Sequence, residues 1–262
     1  MSGAPYPEDQ WTRAEPTPQV LAQYIRGSEG AYNRTTFGVF ERLLPADLRG
    51  RRVLDYGGGA GWMAVRCAEL GAQVTLVDAA TNALRLALML AQTRGVTDRL
   101  ETVRGGRVTP DLQRRRFDVV IAKDIVEHIP DDHRFLAELA ACQDPGALLL
   151  LSSQNRRSLN YLLEGTYRRW WCGERDWCGW DPTHLRFYTP ASLRRLLEGA
   201  GYRLKRWWGV YVIPYDILSW PLLLRKRIVL EGLHRFDLRF GRWFPFNRWG
   251  WNTIIAAERV RS

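Results

Sequence analysis

Alternating strand-like and helix-like patterns predict an α/β fold with an open, mostly parallel sheet, and three observations carry that prediction. Short apolar runs of strand length recur between longer amphipathic stretches along the chain. One such run, Val53-Leu54-Asp55-Tyr56, empties into Gly57-Gly58-Gly59-Ala60-Gly61 and then into the helix-patterned stretch from Trp62 to Leu70. A third feature is the next run, Gln73 to Val77, which ends in a carboxylate, Asp78. Strands are expected near 52–55, 73–77, 100–103, 118–122, 147–152, 203–212 and 251–258, and helices near 61–70, 81–94, 132–142 and 190–199. No internal repeat or low-complexity tract interrupts them.

The glycine run is the most informative segment. Glycines let a backbone turn sharply and approach a ligand where any Cβ would collide. A glycine loop between a strand end and a helix N-terminus is also where ligands of open α/β sheets bind. A nicotinamide-binding loop wants G-x-G-x-x-G, and Trp62 stands at the third glycine position here. The pattern Asp55-x-Gly57-x-Gly59-x-Gly61 instead resembles motif I of class I S-adenosylmethionine (SAM) dependent methyltransferases. Asp78 stands where a carboxylate could accept hydrogen bonds from both hydroxyls of a ribose. Its simpler role would be to cap the helix starting near Thr81.

Two further stretches are similar to that family. Phe117-Asp118 opens an apolar run that ends in Glu127-His128-Ile129-Pro130-Asp131, and a helix follows. His184 to Pro190, followed by Leu193 to Tyr202, resembles the segment before the sixth strand in the branch related to ubiquinone-biosynthesis O-methyltransferases. The resemblance covers roughly residues 50–205. It implies a Rossmann-like class I methyltransferase sheet of seven strands, the last inserted antiparallel, with cap insertions. It implies SAM as cofactor, and it carries a set of contacts onto Asp55, Gly57, Gly59, Gly61, Asp78, Ala79, Gly106, Arg107, Lys123 and Asp124.

The sequence departs from the family after the third strand. The acid that usually bonds the adenine amino group is replaced by Gly106 in the run Arg104-Gly105-Gly106-Arg107-Val108, so adenine is expected to meet backbone and apolar groups. Asp124, Glu127 and His128 stand at i, i+3 and i+4 and would share one helical face, a spacing that can hold a divalent cation. The alternative, and the expectation here, is no metal: Asp124 lines the cofactor pocket while Glu127 and His128 orient the turn. His184, with Asp181 three residues earlier, is the candidate catalytic base. An imidazole could take the proton of an attacking hydroxyl, or it could simply bond a backbone carbonyl. His133 and His234 have no such context.

Composition divides the chain. Residues 1–150 carry 18 Lys+Arg against 19 Asp+Glu, whereas residues 151–262 carry 20 against 9 and ten of the 12 tryptophans. Arginine with tryptophan suits an anionic ligand or a membrane surface. No nucleic-acid-binding module is present, so nucleic acid is not an expected partner. Residues 1–20, rich in proline and charge, read as a flexible arm without a signal peptide. The remainder, 21–262, reads as a single domain with insertions at about 155–183 and 213–250 that cap the acceptor pocket. From Val20 to Leu44 a helical pattern breaks near Gly27-Ser28-Glu29-Gly30; in the family such a leader folds over the cofactor, where Tyr32 or Arg34 could reach the methionine carboxylate. Packing on the sheet edge is the alternative.

Cys67, Cys142, Cys172 and Cys178 lack C-x-x-C spacing, so zinc is not expected and a reducing cytoplasm fits. The apolar run from Tyr211 to Leu224 is interrupted by Pro214, Asp216 and Pro221 and is too short to span a bilayer; an interfacial segment fits it, which leaves a peripheral membrane contact open. The function expected is SAM-dependent O-methylation of a small-molecule or lipid-linked, anionic acceptor. The alternatives are N- or C-methylation, SAM binding without methyl transfer, or a nicotinamide-dependent oxidoreductase. Oligomeric state is not legible.

Overall fold

The computed structural model describes residues 13–177, 181, 183–213 and 227–260. Two leader helices, α1 (Pro18–Ser28) and α2 (Ala31–Leu43), precede β1 (Arg52–Tyr56), α3 (Trp62–Glu69), β2 (Gln73–Asp78), α4 (Thr81–Thr93) and β3 (Leu100–Arg104). The chain continues through α5 (Pro110–Arg115), β4 (Val119–Lys123), α6 (Asp132–Ala141), β5 (Leu148–Gln154), α7 (Leu159–Trp170), α8 (Pro190–Gly199) and β6 (Tyr202–Val210). It ends in α9 (Arg227–Phe240), α10 (Phe246–Trp249) and β7 (Asn252–Arg259). Each strand starts and stops within about two residues of its predicted limits.

The strands form one sheet in the order β3-β2-β1-β4-β5-β7-β6. Pairings among β1 to β5 are parallel, and β7 runs antiparallel to both neighbours, β5 and β6. The expected mixed sheet with an inserted last strand is therefore what the chain adopts. Side chains alternate between two apolar layers, as the period of two requires. Val53, Ile121 and Ile254 face α1 to α4, whereas Leu54, Val120 and Ile255 face α5, α6 and α8. Burial on both faces explains why the parallel strands read as continuous apolar runs.

Three helices open on the same device. Thr17, Thr109 and Thr189 each cap a helix with the side-chain oxygen, and Pro18, Pro110 and Pro190 follow at the first helical position. The second instance, α5, was not anticipated, although its Thr-Pro signal is the same. The first insertion contains α7, capped by Ser158. Of the second insertion, residues 214–226 lie outside the described residues, and with them most of the apolar run from Tyr211 to Leu224. Of its remainder, α9 packs on α2 and α10 on β6. The buried Asp237 ties α9 to the end of β6: its Oδ2 accepts from the Tyr211 amide at 2.6 Å and its carbonyl from Trp208 Nε1 at 2.8 Å. The expected arm, 1–20, falls outside the described residues up to residue 12, and α1 begins at Pro18.

Candidate functional site

A cavity of about 290 Å³ opens at the carboxyl ends of β1, β2 and β4, the crevice where open parallel sheets bind ligands. Its floor is Asp55, Gly57, Gly58 and Gly59, its sides are Asp78, Ala80, Lys123, Asp124, Ile125 and His128, and its roof is Tyr24, Gly27, Ser28, Asn33 and Phe37 of the leader helices. A larger cleft of about 800 Å³ is lined by Arg114, Arg116, Asp144 and Arg259, but it shares no residue with the glycine loop or with β1, β2 or β4.

The loop conformation accounts for its composition. Gly57, Gly59 and Gly61 all have positive φ, at 70°, 56° and 77°. Gly58, a spacer in the sequence pattern, is the most confined: a Cβ there would stand 2.5 Å from both Asp55 Oδ2 and Leu76 Cδ1. Asp78 locks the loop from the neighbouring strand, Oδ2 accepting from the Gly59 amide and Oδ1 from the Ala80 amide, each at 2.8 Å. Each carboxylate oxygen offers a second lone pair, so the restraining role and the ribose role are compatible. Asp55 is buried beneath the loop, and its Oδ2 has no hydrogen-bond partner. Burial, reinforced by the nearby Asp78 charge, raises its pKa to about 7.

Lys123 and Asp124 form an ion pair at 2.7 Å beside the loop. Burial opposes charge on both, yet the pair outweighs it: Lys123 is raised and Asp124 lowered, so both stay charged. Asp124 Oδ1 also accepts from Ser152 Oγ at 2.6 Å and Asn252 Nδ2 at 2.8 Å. This network holds Asp124 at a positive φ of 50°. The backbone then enters a 3-10 turn, Val126–His128, rather than continuing as an α-helix. Asp124 therefore does not share a helical face with Glu127 and His128, which corrects the spacing argument.

His184 takes that place instead. The Leu185 amide donates to the Glu127 carbonyl at 2.9 Å, and the rings of His128 and His184 meet edge-on at 4.6 Å. One ligand atom each from Glu127, His128 and His184 falls within a 4.8 Å cluster, all three residues buried. Both Glu127 carboxylate oxygens and His184 Nδ1 have no hydrogen-bond partner. Burial, with the Asp124 charge, pushes Glu127 up to about 8. Burial lowers both histidines, and the neighbouring His128 lowers His184 further, against the opposing pull of Asp181 and Asp124. Asp181 Oδ2 lies 3.6 Å from His184 Nε2, and His128 Nδ1 faces the Thr183 hydroxyl and carbonyl at 3.1 and 3.3 Å. Such a cluster can relay a proton or hold a divalent cation.

The leader helices do fold over the cavity. Tyr24 Oη accepts from the Trp62 amide at 3.1 Å, and Phe37 stacks on Trp62 at 5.7 Å. Trp62, where a nicotinamide loop would have glycine, thus anchors the roof. Tyr32 and Arg34 turn elsewhere: Tyr32 stacks on Tyr211 at 4.2 Å, and Arg34 pairs with Glu231. Ala79, Gly61, Gly106 and Arg107 do not line the cavity either; Gly106 and Arg107 are exposed in the turn after β3. Asn33, Phe37, Tyr24 and Ile125 line it without having been anticipated, and nothing in their local sequence marks them.

A cradle too narrow for a Cβ, a carboxylate with spare lone pairs and a buried carboxylate oxygen lacking a donor together fit a ligand with a ribose diol and an amino group. Comparison with known proteins agrees. The family described as "Methyltransferase domain" matches residues 31–206. The chain is 31% identical over 197 residues to the ubiquinone biosynthesis O-methyltransferase of Aeromonas salmonicida, covering 72% of this chain and 77% of that one. It is 30% identical over 224 residues to the protein of the same name from a Methylobacterium species, covering 83% and 76%. A SAM-dependent methyltransferase from Mesorhizobium loti shares the fold with a TM-score of 0.58 at 16% identity, over 88% of this chain and 100% of that one. The [4+2]-cyclase SpnF shares it with a TM-score of 0.55 at 20% identity, over 98% and 87%. With the glycine cradle, the paired carboxylates and the mixed seven-stranded sheet already in view, these matches establish that the chain belongs to the methyltransferase family and is a SAM-dependent enzyme.

Proposed function

We propose that this enzyme methylates oxygen on a small-molecule or lipid-linked acceptor, and that the Glu127–His128–His184 cluster handles the acceptor proton. The observation that carries the reading is a buried, neutral imidazole with an unpartnered Nδ1, packed against His128 at the edge of the cofactor cavity. The relatives' names, O-methyltransferases, support oxygen as the acceptor atom.

The cofactor-holding set is read as the backbone of Gly57 to Gly61, Asp78 for the ribose, and Asp55, Lys123 and Asp124 toward the amino-acid end. Ala79, Gly106 and Arg107 are read as outer contacts on the adenine side, supported by the Gly105 amide bonded to the Asp78 carbonyl at 2.9 Å. Tyr32 stands next to the roof residue Asn33 and is retained as an outer contact on the methionine side. SAM, when bound, supplies a sulfonium-activated methyl group. The protein's part is alignment and exclusion of water. His184 accepts the proton of the acceptor hydroxyl, and Asp181, at 3.6 Å, stabilises the resulting imidazolium. Glu127, protonated at neutral pH, can donate within the cluster without adding a competing charge.

His184→Ala should lower turnover by about a hundredfold or more with SAM affinity unchanged by calorimetry. Unchanged turnover would remove His184 as the base. A second reading has its own observation, the three ligand atoms within 4.8 Å: a divalent cation could sit there and polarise the acceptor hydroxyl. Dialysis against chelator, with metal analysis before and after, separates the two. Loss of activity restored by added cation favours the metal.

A further inference from the structure

We propose that α9 is a strap that sets SAM affinity: it holds α2 over the cofactor cavity, with Tyr211, His234 and Asp237 as its positioning residues. The methyltransferase match ends at residue 206, so the segment that supplies α9 lies outside it. Leu230, Leu233, His234, Asp237 and Leu238 recur at i, i+3, i+4, i+7 and i+8 and form the inward stripe of this helix. Two of those positions are titratable and buried, His234 at 8% and Asp237 at 1% exposure. A stripe that served packing alone would be apolar throughout, because a buried polar group costs free energy unless it is bonded.

Both polar residues find their partners in α2 or just beyond the end of β6. His234 Nδ1 lies 2.9 Å from Thr35 Oγ1. That hydroxyl donates to the Ala31 carbonyl at 2.7 Å, so Nδ1 is the donor to it. Asp237 accepts from the Tyr211 amide at 2.6 Å. Tyr211 has a positive φ of 56°, a conformation that a bulky residue keeps only where its surroundings fix it. The Asp237 bond is one restraint and the phenol supplies the other. Its hydroxyl bonds Thr36 Oγ1 and donates to the Tyr32 carbonyl at 2.7 Å, while its ring stacks on Tyr32. Arg42 adds a bond from Nη1 to the Leu238 carbonyl at 2.6 Å, and Arg34 pairs with Glu231. Every one of these contacts lands on α2, the helix whose Asn33 and Phe37 roof the cavity, or on the residue that grips it.

Charge makes the strap sensitive to pH. His234 is faced by Arg34 and Arg42 of α2 and by Glu231 and Arg235 of its own helix, and Asp237 on the next turn is engaged by the Tyr211 amide. Burial and the three guanidiniums hold the imidazole below the ordinary histidine range, against the pull of Glu231. The docked helix therefore binds fewer protons than a released one. Docking is at full strength above about pH 6.5 and weakens as pH falls below it.

The strap rests on the assignment of the cavity to SAM proposed above, and hydrogen exchange separates the two. In the wild type, SAM should protect the amides of the glycine loop, 57–61, and of α2. Tyr211→Phe and Thr36→Val should each speed exchange in α2 while leaving β1 and β4, which report global unfolding, unchanged. Tyr211→Phe should weaken SAM binding in calorimetry by about fivefold or more. The double variant should match Tyr211→Phe alone, since Thr36 acts through the same hydroxyl. His234→Asn keeps a donor toward Thr35 but takes up no proton. Lowering the pH from about 7.5 to 5.5 should cost the wild type about threefold more SAM affinity than this variant, the titration of Asp55 and His128 in the cavity being common to both. Variants that bind SAM as tightly as wild type, with the glycine loop protected, would overturn the strap alone. So would matching pH profiles for wild type and His234→Asn. Failure of SAM to protect the glycine loop would overturn the site itself, and the strap with it.

Discussion

Glu127 shows how a single residue sets pH behaviour. Its carboxyl titrates near 4.5 in an unfolded chain and near 8 in the folded one, because burial and the Asp124 charge disfavour ionisation. The folded state therefore holds an extra proton across that window. Stability is fully present below about pH 4.5 and is lost as pH rises toward 8. Asp55, raised from 3.8 to about 7, acts in the same direction. Glu127→Gln should thus be more stable than wild type at pH 9 and nearly equal at pH 4.5, as measured by thermal melting. A bound cation would reverse the sign, since the carboxylate would then be its ligand. Gly58 is a second test at this scale. Gly58→Ala forces a Cβ to 2.5 Å from Asp55 Oδ2 and Leu76 Cδ1. It should cost about 2 kcal/mol or more of stability and weaken SAM binding in calorimetry; wild-type affinity would mean the cradle relaxes easily. Gly58 was legible only as a spacer, because its confinement comes from Leu76 on the next strand.

At the scale of elements, one hydrogen bond ties the roof helix α1 to the start of α3. Tyr24→Phe removes the acceptor for the Trp62 amide at the start of α3. A loss of about 1 kcal/mol is expected, with a several-fold drop in SAM affinity as α1 loosens; unchanged affinity would show that this bond is not what holds the roof. The strands and central helices were legible because each has a local signature: a buried apolar run, a threonine cap, a proline at the first turn. Helix α7 carries the same periodicity, but periodicity says only that a stripe exists. Which side of the helix the stripe faces depends on Gly165 meeting Trp177, a contact no local pattern encodes. The turn after β4 failed for a related reason. Its i, i+3, i+4 spacing suited an α-helix, and a network from β5 and β7 holds Asp124 in a conformation that prevents one.

Across the whole molecule, charge and aromatic content separate from the cofactor machinery. The methyltransferase match ends at residue 206, while much of the arginine and tryptophan lies beyond residue 151. The sequence by itself determined the sheet, the glycine cradle and the SAM dependence, because those rest on contiguous residues whose backbone preferences are local. Only the tertiary structure decided that His184 completes a cluster with Glu127 and His128, that Asn252 restrains Asp124, and that α7 turns its apolar side outward. Those are meetings of residues far apart in the chain, and the path that brings them together is set by packing of the whole sheet rather than by any segment of it.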